Sequence, residues 1–138
     1  MNSKQRTVNN KQASARERGP AYTKAYAFAV RIVKVFKFLS EERREYVLSK
    51  QLLKSGTSIG ANLAEANAAI SEADLSSKVS IAYKEVQETK YWLDLLKETG
   101  FLEPHEHKSL YADADEIAAI LFATLKTTRI KDRKETSQ

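Results

Sequence analysis

One stretch in the middle of the chain, residues 48–70, limits the possible folds because it combines a helical period with two glycines. One stripe recurs at spacings of three and four, the period of a helix face, and comprises Leu48, Leu52, Ser55, Ile59, Leu63, Ala66 and Ile70. A second row, spaced by four, contains only small residues, namely Gly56, Gly60, Ala64 and Ala68. Glycine inside a helix costs about 1 kcal/mol relative to alanine. The row therefore predicts that another backbone approaches this helix closely, and a kink at Ser55-Gly56 is the alternative.

Composition favours an all-α protein that fits one domain. The 138 residues are 42% hydrophobic and include only four glycines and two prolines, which suits long helices joined by few turns. No cysteine is present, so the sequence offers neither a disulfide framework nor a thiolate zinc site and favours a reducing, cytoplasmic location. No apolar run reaches the ~18–20 residues that cross a bilayer, and we expect no membrane partner.

The first two helices are predicted from the residues at their ends. Pro20 suits the first turn of a helix over about residues 21–39, because proline lacks the N–H that this turn leaves unpaired. Ser40 follows as a candidate N-cap for the second helix, with Glu41 and Glu42 near the positive end of the helix dipole. This second helix is expected to run to about residue 69.

The third and fourth helices complete the pattern. Ser71 and Asp74 have the spacing of a capping box at the start of the third helix, and Gly100 is suited to end it. Pro104 is placed to begin the fourth helix. Four amphipathic helices joined by short turns predict an up-down-up-down antiparallel four-helix bundle.

The two ends of the chain are predicted to lie outside the bundle. Residues 1–19 are polar and basic, lack the apolar core of a secretory signal, and predict a disordered basic arm. Residues 20–130 carry the four helical stripes. The apolar pattern stops there, and residues 131–138 predict a disordered polar tail.

Two consecutive helices carry a resemblance to a known family. Residues 51–66 read QLLKSGTSIGANLAEA and resemble the signature segment, of the type QLxRSxxSIxxNIAEG, of the four-helix-bundle family of 23S rRNA intervening-sequence proteins. Residues 78–93 read KVSIAYKEVQETKYWL and are similar to the third helix of one branch of that family. The resemblance covers about residues 22–129. Five positions in these helices are treated as a structural signature, namely Gly56, Gly60, Asn62, Glu65 and Trp92.

The resemblance implies a fold and an assembly rather than a reaction. The family name reflects genes that lie inside interrupted ribosomal RNA and does not denote an activity. Relatives include the accessory protein of diversity-generating retroelements, a basic homopentameric barrel that associates with reverse transcriptase and nucleic acid. The resemblance thus implies a four-helix protomer, a homopentamer and contact with nucleic acid, and it implies no catalytic residue.

The apolar pattern itself also favours self-association. The first and third helices carry more large apolar residues than one internal seam requires, among them Phe28, Val35, Tyr91, Trp92 and Leu95. An exposed apolar patch of this size usually marks an interface. The alternative is that each helix has one wide apolar stripe that faces the core entirely, so that no apolar residues remain for an interface.

The charge distribution points to an anionic partner. The formal net charge is +5, and both ends of the chain are basic while residues 72–116 are mildly acidic. The candidates for phosphate contacts are Lys24, Arg31, Lys34, Lys37, Arg43, Arg44, Arg129 and Lys131. A solvated charged face is the alternative. No pattern of a base-reading module is visible, so any binding is expected to be independent of sequence.

Residues that carry catalytic chemistry are scarce. His105 and His107 lie two apart and so do not share a helix face, which makes a poor metal site. Glu85 and Glu88 favour an exposed face that is salt-bridged by the lysines around them. Asn62 and Glu65, if buried, need partners such as Lys90 or a tyrosine hydroxyl. We predict no enzymatic activity, no cofactor and no metal.

Two functional hypotheses follow from these observations. The first is a non-enzymatic, self-associating protein that binds RNA or DNA and assists a larger nucleic-acid enzyme. The second is a protein-interaction scaffold without a nucleic-acid role, in which the basic ends aid solubility or contact an acidic protein.

Overall fold

Four α-helices make up the computed structural model, which describes residues 19–136, and no strand occurs in that range. The helices are α1 (Gly19–Glu41), α2 (Leu48–Asn67), α3 (Glu72–Glu98) and α4 (Pro104–Thr136). Each packs on its neighbours in sequence, α4 closes back on α1, and the described residues make no contacts across either diagonal. None of these helices has the length and apolarity to cross a membrane. The all-α prediction is confirmed.

Neighbouring helices run antiparallel, as the residues paired across each seam show. Along α1 and α2, Gly56 lies against Ile32 and Gly60 lies against Ala25, so rising numbers on one helix meet falling numbers on the other. The same inversion holds between α1 and α4, where Lys24 meets Glu116 and Arg31 meets Asp113. Between α3 and α4, Lys90 meets Asp115 and Asp94 meets His107. The fold is therefore an up-down-up-down bundle.

The core fills the space between the four helices with aliphatic side chains and one aromatic ring. Its largest fully buried members are Phe28, Ile32, Leu39, Leu52, Ile59, Val86, Thr89, Leu93, Leu96, Leu110, Ile117 and Leu121. Phe28 was expected to be surplus to the core, and the structure contradicts this because its ring is 1% exposed. The large apolar side chains that α1 does expose are Tyr26, Val30 and Phe38.

The two glycines of the small-residue row allow the close helix approach that its spacing predicted, whereas Ala64 and Ala68 are exposed. A Cβ atom added to Gly56 would lie 2.9 Å from both Cγ1 and Cγ2 of Ile32. A Cβ atom added to Gly60 would lie 3.7 Å from the carbonyl carbon and oxygen of Ala25, which is ordinary van der Waals contact. Because α2 continues as one helix through Gly56, the glycine serves to admit the Ile32 side chain.

The start of the second helix was predicted wrongly. Ser40 lies inside α1, where its hydroxyl donates a hydrogen bond to the carbonyl oxygen of Phe36 at 2.8 Å, and α2 begins only at Leu48. The actual cap is Glu45, whose carboxylate accepts hydrogen bonds from the backbone N–H groups of Val47, Leu48 and Ser49 at 2.6–3.0 Å. Serine in the last turn of a helix bonds to the preceding turn, so its propensity alone could not mark a helix start.

The ends of α3 follow the predicted pattern. The hydroxyl of Ser71 accepts a hydrogen bond from the backbone N–H of Asp74 at 3.0 Å, which confirms the N-cap. Gly100 has φ +83°, and the N–H groups of Gly100 and Phe101 bond to the carbonyls of Lys97 and Leu96 at 3.1 and 2.9 Å. This is the glycine-terminated Schellman arrangement, which only a residue free of a Cβ adopts without strain.

The predicted boundary after residue 130 does not hold, because α4 continues to Thr136. The helix extends through lysine, arginine and threonine residues that lack an apolar stripe, and lysine and arginine have good intrinsic helix propensity. Residues 1–18, most of the predicted basic arm, lie outside the described range, as do residues 137–138.

Glutamate 45 gives the stability a defined pH dependence. Partial burial pushes the pKa of Glu45 upward, but hydrogen bonds from the backbone N–H groups of Leu48, Ser49 and Val47 outweigh it, so the pKa is lowered overall. A lowered pKa in the folded state adds stability above the ordinary carboxyl pKa of about 4.3, and that stability is lost as the pH falls through the folded-state value.

We predict that Glu45→Gln lowers the free energy of unfolding by about 1 kcal/mol at pH 7, because the helix start loses a charged acceptor. The difference from wild type should shrink as the pH is lowered below about 4. Denaturant titrations at several pH values measure this. Glu42→Gln is the matched control, since the Glu42 side chain makes no hydrogen bond or ion pair to the described residues. A difference for Glu45→Gln that is constant across pH would contradict the charge argument.

The two glycines of α2 should respond oppositely to alanine. Gly56→Ala forces the stiff, β-branched Ile32 side chain to move and should destabilise the fold by about 1–2 kcal/mol. Gly60→Ala meets only ordinary contacts and should be neutral or stabilising by up to about 1 kcal/mol, through helix propensity. Thermal unfolding at equal protein concentration compares the two. Equal effects would show that Ile32 does not limit the space at Gly56.

Candidate nucleic-acid interface

The basic residues of α1 do not form one surface, because the helix presents them in different directions. Lys24 and Arg31 face α4, where Lys24 pairs with Glu116 and Arg31 pairs with Asp113. The Arg31 guanidinium also donates to the hydroxyl of Ser109 at 2.9 Å. Each of the two cations is thus balanced by an acid within the protomer. Their role at the α1–α4 seam is structural, and little of their charge is left for phosphate.

Lys34 and Lys37 lie further around α1, away from α4 and beside exposed apolar side chains. Tyr26 is 60% exposed and Val30 is 41% exposed, and both line a shallow groove with the two lysines. We call this surface the α1 outer face, and its members are Tyr26, Ala29, Val30, Val33, Lys34 and Lys37. Neither lysine forms an ion pair with the described residues. The face combines a free positive charge with unpartnered apolar area.

Arg43 and Arg44 occupy the connection between α1 and α2 but have different surroundings. The Arg43 guanidinium donates to the carbonyl oxygens of Gly100 and Phe101 at 3.1 and 3.4 Å, and it lies 5.3 Å from the centroid of the Phe101 ring. It thereby ties this connection to the one between α3 and α4. Arg44 is exposed, and its φ of +51° is uncommon for a residue with a side chain. Arg44 alone of the pair is free to meet an anion.

The two remaining candidates lie near the end of α4. Arg129 is exposed and forms no ion pair with the described residues. Lys131 belongs to the same helix, but its side chain is outside what the structure describes. The eight predicted cations therefore divide into three with protein partners, four exposed ones without an ion pair in the described range, and Lys131.

The signature residues Asn62 and Glu65 have local, structural partners. The amide of Asn62 donates to the carbonyl oxygen of Ser58 at 2.8 Å within α2. Glu65 pairs with Lys78 of α3 at 2.7 Å, and this hydrogen bond and charge raise the pKa of Lys78. The suggested partner Lys90 is instead paired with Asp115 of α4. Glu65 thus helps to set the register between α2 and α3.

The signature residue Trp92 is half-buried against the core, and its ring meets Tyr91 edge-on at 4.9 Å between centroids. Its indole N–H is buried and has no hydrogen-bond acceptor among the described residues. Trp92 therefore contributes mainly apolar contact.

Glu85 and Glu88 form a carboxylate pair on α3 rather than the salt-bridged face that the sequence suggested. Partial burial, and then the charge of Glu88 and a hydrogen bond to it, raise the pKa of Glu85, while Lys54 of α2 acts in the opposite direction. Neither carboxylate forms an ion pair with Lys84 or Lys90. With Ile81, which is 38% exposed and lies four residues before Glu85, they define the α3 outer face.

The two histidines have different surroundings. His107 bonds through Nε2 to a carboxylate oxygen of Asp94 at 2.7 Å and lies beside the Tyr111 ring, while His105 is exposed. Within the described residues, no group of three or more histidine and acidic side chains is placed to hold a metal ion. His107 thus connects α3 and α4, and the hypothesis of a paired-histidine site has no support from this geometry.

Sequence reasoning missed the acids that neutralise the α1 cations. Asp113 and Glu116 are three apart and so share one face of α4, a spacing that the sequence displays. That α1 and α4 are neighbours in an up-down-up-down bundle was also predictable. Combining the two would have assigned Lys24 and Arg31 to the seam, although the exact partners depend on the rotation of each helix.

Comparison with known proteins agrees with this architecture. The family model described as 23S rRNA-intervening sequence protein matches residues 18–123. No curated protein matches the chain. Among solved structures, a protein of unknown function from the S23 ribosomal protein family of Bacteroides thetaiotaomicron VPI-5482 is 47% identical. The match has a TM-score of 0.77 and covers 78% of this chain and 99% of that one.

The matched region contains α1, α2, α3 and the buried part of α4, together with all five signature residues. It spans well over half of the chain, and the solved relative shares nearly half of its residues over almost its full length. The chain therefore belongs to the family of 23S rRNA-intervening sequence proteins.

Proposed function

We propose that this protein is a non-enzymatic four-helix protomer that assembles into a homopentamer and binds RNA or DNA without reading its sequence. The observation that carries the proposal is the unpartnered apolar area on the protomer, which adjoins free lysines on α1. The exposed large apolar side chains include Tyr26, Val30 and Phe38 on α1, Ile81 and Tyr91 on α3, and Phe122 on α4. Tyr26 and Val30 adjoin each other in one groove on α1, and contiguous exposed apolar area of this kind is typical of an interaction surface. The number five rests on the resemblance to a pentameric relative.

The nucleic-acid part of the proposal rests on charge. The chain carries a formal net charge of +5, and Lys34, Lys37, Arg44 and Arg129 are exposed without an ion pair to the described residues. Repetition of Arg44 and Arg129 in every protomer of a ring would add their fields and strengthen phosphate contacts. Phosphate contacts position a nucleic acid without specifying its sequence. A larger nucleic-acid enzyme is the kind of partner that such a protein would assist.

A protein-interaction scaffold is the competing function, and the same exposed apolar residues favour it. An aromatic residue such as Tyr26 or Phe38 would suit a foreign protein surface as well as a second copy. In that case the free cations would serve solubility or an acidic protein partner. The two functions differ in their expected salt dependence, because only phosphate binding releases condensed counterions.

Light scattering on the eluate of size-exclusion chromatography, with absorbance at two wavelengths, tests assembly and bound nucleic acid together. We expect a molar mass of five protomers and co-eluting nucleic acid that is removed by high salt. A molar mass of one protomer without co-eluting nucleic acid would contradict both self-association and nucleic-acid binding. A pentamer without nucleic acid at low salt would leave the scaffold function.

Charge reversal at Arg44 and Arg129 tests the basic surface directly. We expect the double variant Arg44→Glu with Arg129→Glu to bind a labelled single-stranded RNA at least tenfold more weakly at low salt. The slope of log affinity against log salt should fall by about 0.7 for each phosphate that the variant no longer neutralises. Fluorescence anisotropy measures both quantities. The matched control is Lys84→Glu with Lys108→Glu, which changes net charge equally at two other exposed lysines. Equal weakening by the control would show that only net charge matters.

A further inference from the structure

Two unpartnered faces of the protomer are complementary in charge and polarity. The α1 outer face presents Lys34 and Lys37 next to exposed Val30, and the α3 outer face presents Glu85 and Glu88 next to exposed Ile81. Inside the protomer, the lysines form no ion pair with described residues, and the two carboxylates hydrogen-bond to each other. Each face therefore lacks the charge that the other offers.

The two faces also lie at the same height along the bundle. Gly56 of α2 lies against Ile32 of α1, and Lys54 of α2 lies close enough to Glu85 of α3 to influence its charge. Because α1 and α3 both run antiparallel to α2, counting along α2 from Gly56 and Lys54 places Val30 at the height of Ile81 to within about one helical turn. The same counting places Lys34 near the height of Glu85 and Lys37 near that of Glu88.

The directions of the two faces suit a closed ring. Lys24 and Arg31 on α1, and Lys90 and Asp94 on α3, mark the sides that face α4. At 3.6 residues per turn, both outer faces point away from those sides and flank α2. Viewed down the bundle axis, the four helices occupy the corners of a square, so the outer faces of α1 and α3 lie at roughly a right angle to each other. A ring of four copies needs a right angle between its two contact faces, and a ring of five needs a somewhat narrower one.

A ring requires that the two contact faces meet without a rise along its axis, since any rise would produce an open helix. Val30 and Ile81 lie at similar heights along the bundle, as do the two lysines and the two glutamates, and this meets the requirement. We propose that the α1 outer face of one copy binds the α3 outer face of the next, with Val30 against Ile81 and the two lysines against the two glutamates. The occupant of each face is thus a second copy of this chain, and α2 lines the axis of the ring.

This inference rests on the proposed self-association and specifies its interface. It leaves Arg44 and Arg129, rather than Lys34 and Lys37, available to nucleic acid in the assembled state. The corner of α2 that would face the ring axis carries exposed Ala61 and Ala64 and half-buried Thr57, and towards the start of the helix the exposed Lys50 and Lys54. The small side chains allow neighbouring copies to approach along the second half of α2.

Charge exchange across the interface tests the assignment. We expect Lys34→Glu with Lys37→Glu to weaken assembly at least tenfold, because four carboxylates then face one another at each contact. Glu85→Lys with Glu88→Lys should weaken it to a similar extent. The variant that carries all four substitutions should regain the wild-type mass, since the pairs are restored with inverted sign. Sedimentation velocity over a range of protein concentrations measures each variant, and circular dichroism verifies folding.

The control is Lys108→Glu with Lys126→Glu on α4, which makes the same change in net charge away from both faces and should leave the assembled mass unchanged. A wild-type protein that sediments as one protomer would refute self-association and the interface together. A wild-type assembly that persists in both reversed variants, or that the fourfold variant fails to regain, would overturn this interface while self-association stands.

Discussion

The close contact between α1 and α2 is the constraint on which the rest of the bundle depends. Gly56 has no side chain at the point where Ile32 enters, and Gly60 brings α2 next to the backbone of Ala25. These two contacts set both the distance and the axial register of α1 and α2. On the other side of α2, α3 packs against it, and there the ion pair of Glu65 with Lys78 marks the register. Glycine has a low helix propensity, but at these two positions the close packing of α1 against α2 compensates for the stability that the helix loses.

Charge has two separate uses in this protomer, and the orientation of each helix decides between them. Cations that face a neighbouring helix are balanced by acids, as Arg31 is by Asp113 and Lys90 is by Asp115. The Arg31–Asp113 pair is partly exposed and contributes little to stability, whereas the Lys90 side chain is only 16% exposed, so a shift of register would leave a largely buried charge unpaired. Cations that face outward, such as Lys34 and Arg44, remain available to a partner. A net charge of +5 therefore overstates the basic surface on α1.

The predictions from sequence succeeded where a local pattern has one physical meaning. The Ser71 cap and the Gly100 stop depend on a few adjacent atoms, and both occur as expected. The Ser40 cap failed because a serine can bond to the preceding turn or to the following one, and the sequence around Ser40 does not decide between them. For the candidate site, all cations were predicted as one set, although three of them contact protein groups. A stripe of charge shows which residues share a face, but not what lies opposite that face.

The sequence alone determined the helical class, the four-helix topology, the family and the role of the small-residue row, because period, turn chemistry and glycine content are properties of neighbouring residues. The tertiary structure decided which faces of these helices are covered. Burial of Phe28 and exposure of Tyr26 and Val30 depend on how α1 is rotated between α2 and α4. The pairing of Lys24 and Arg31 with α4 likewise arises from residues more than seventy positions apart. Such contacts depend on packing all four helices at once, and no single segment encodes them.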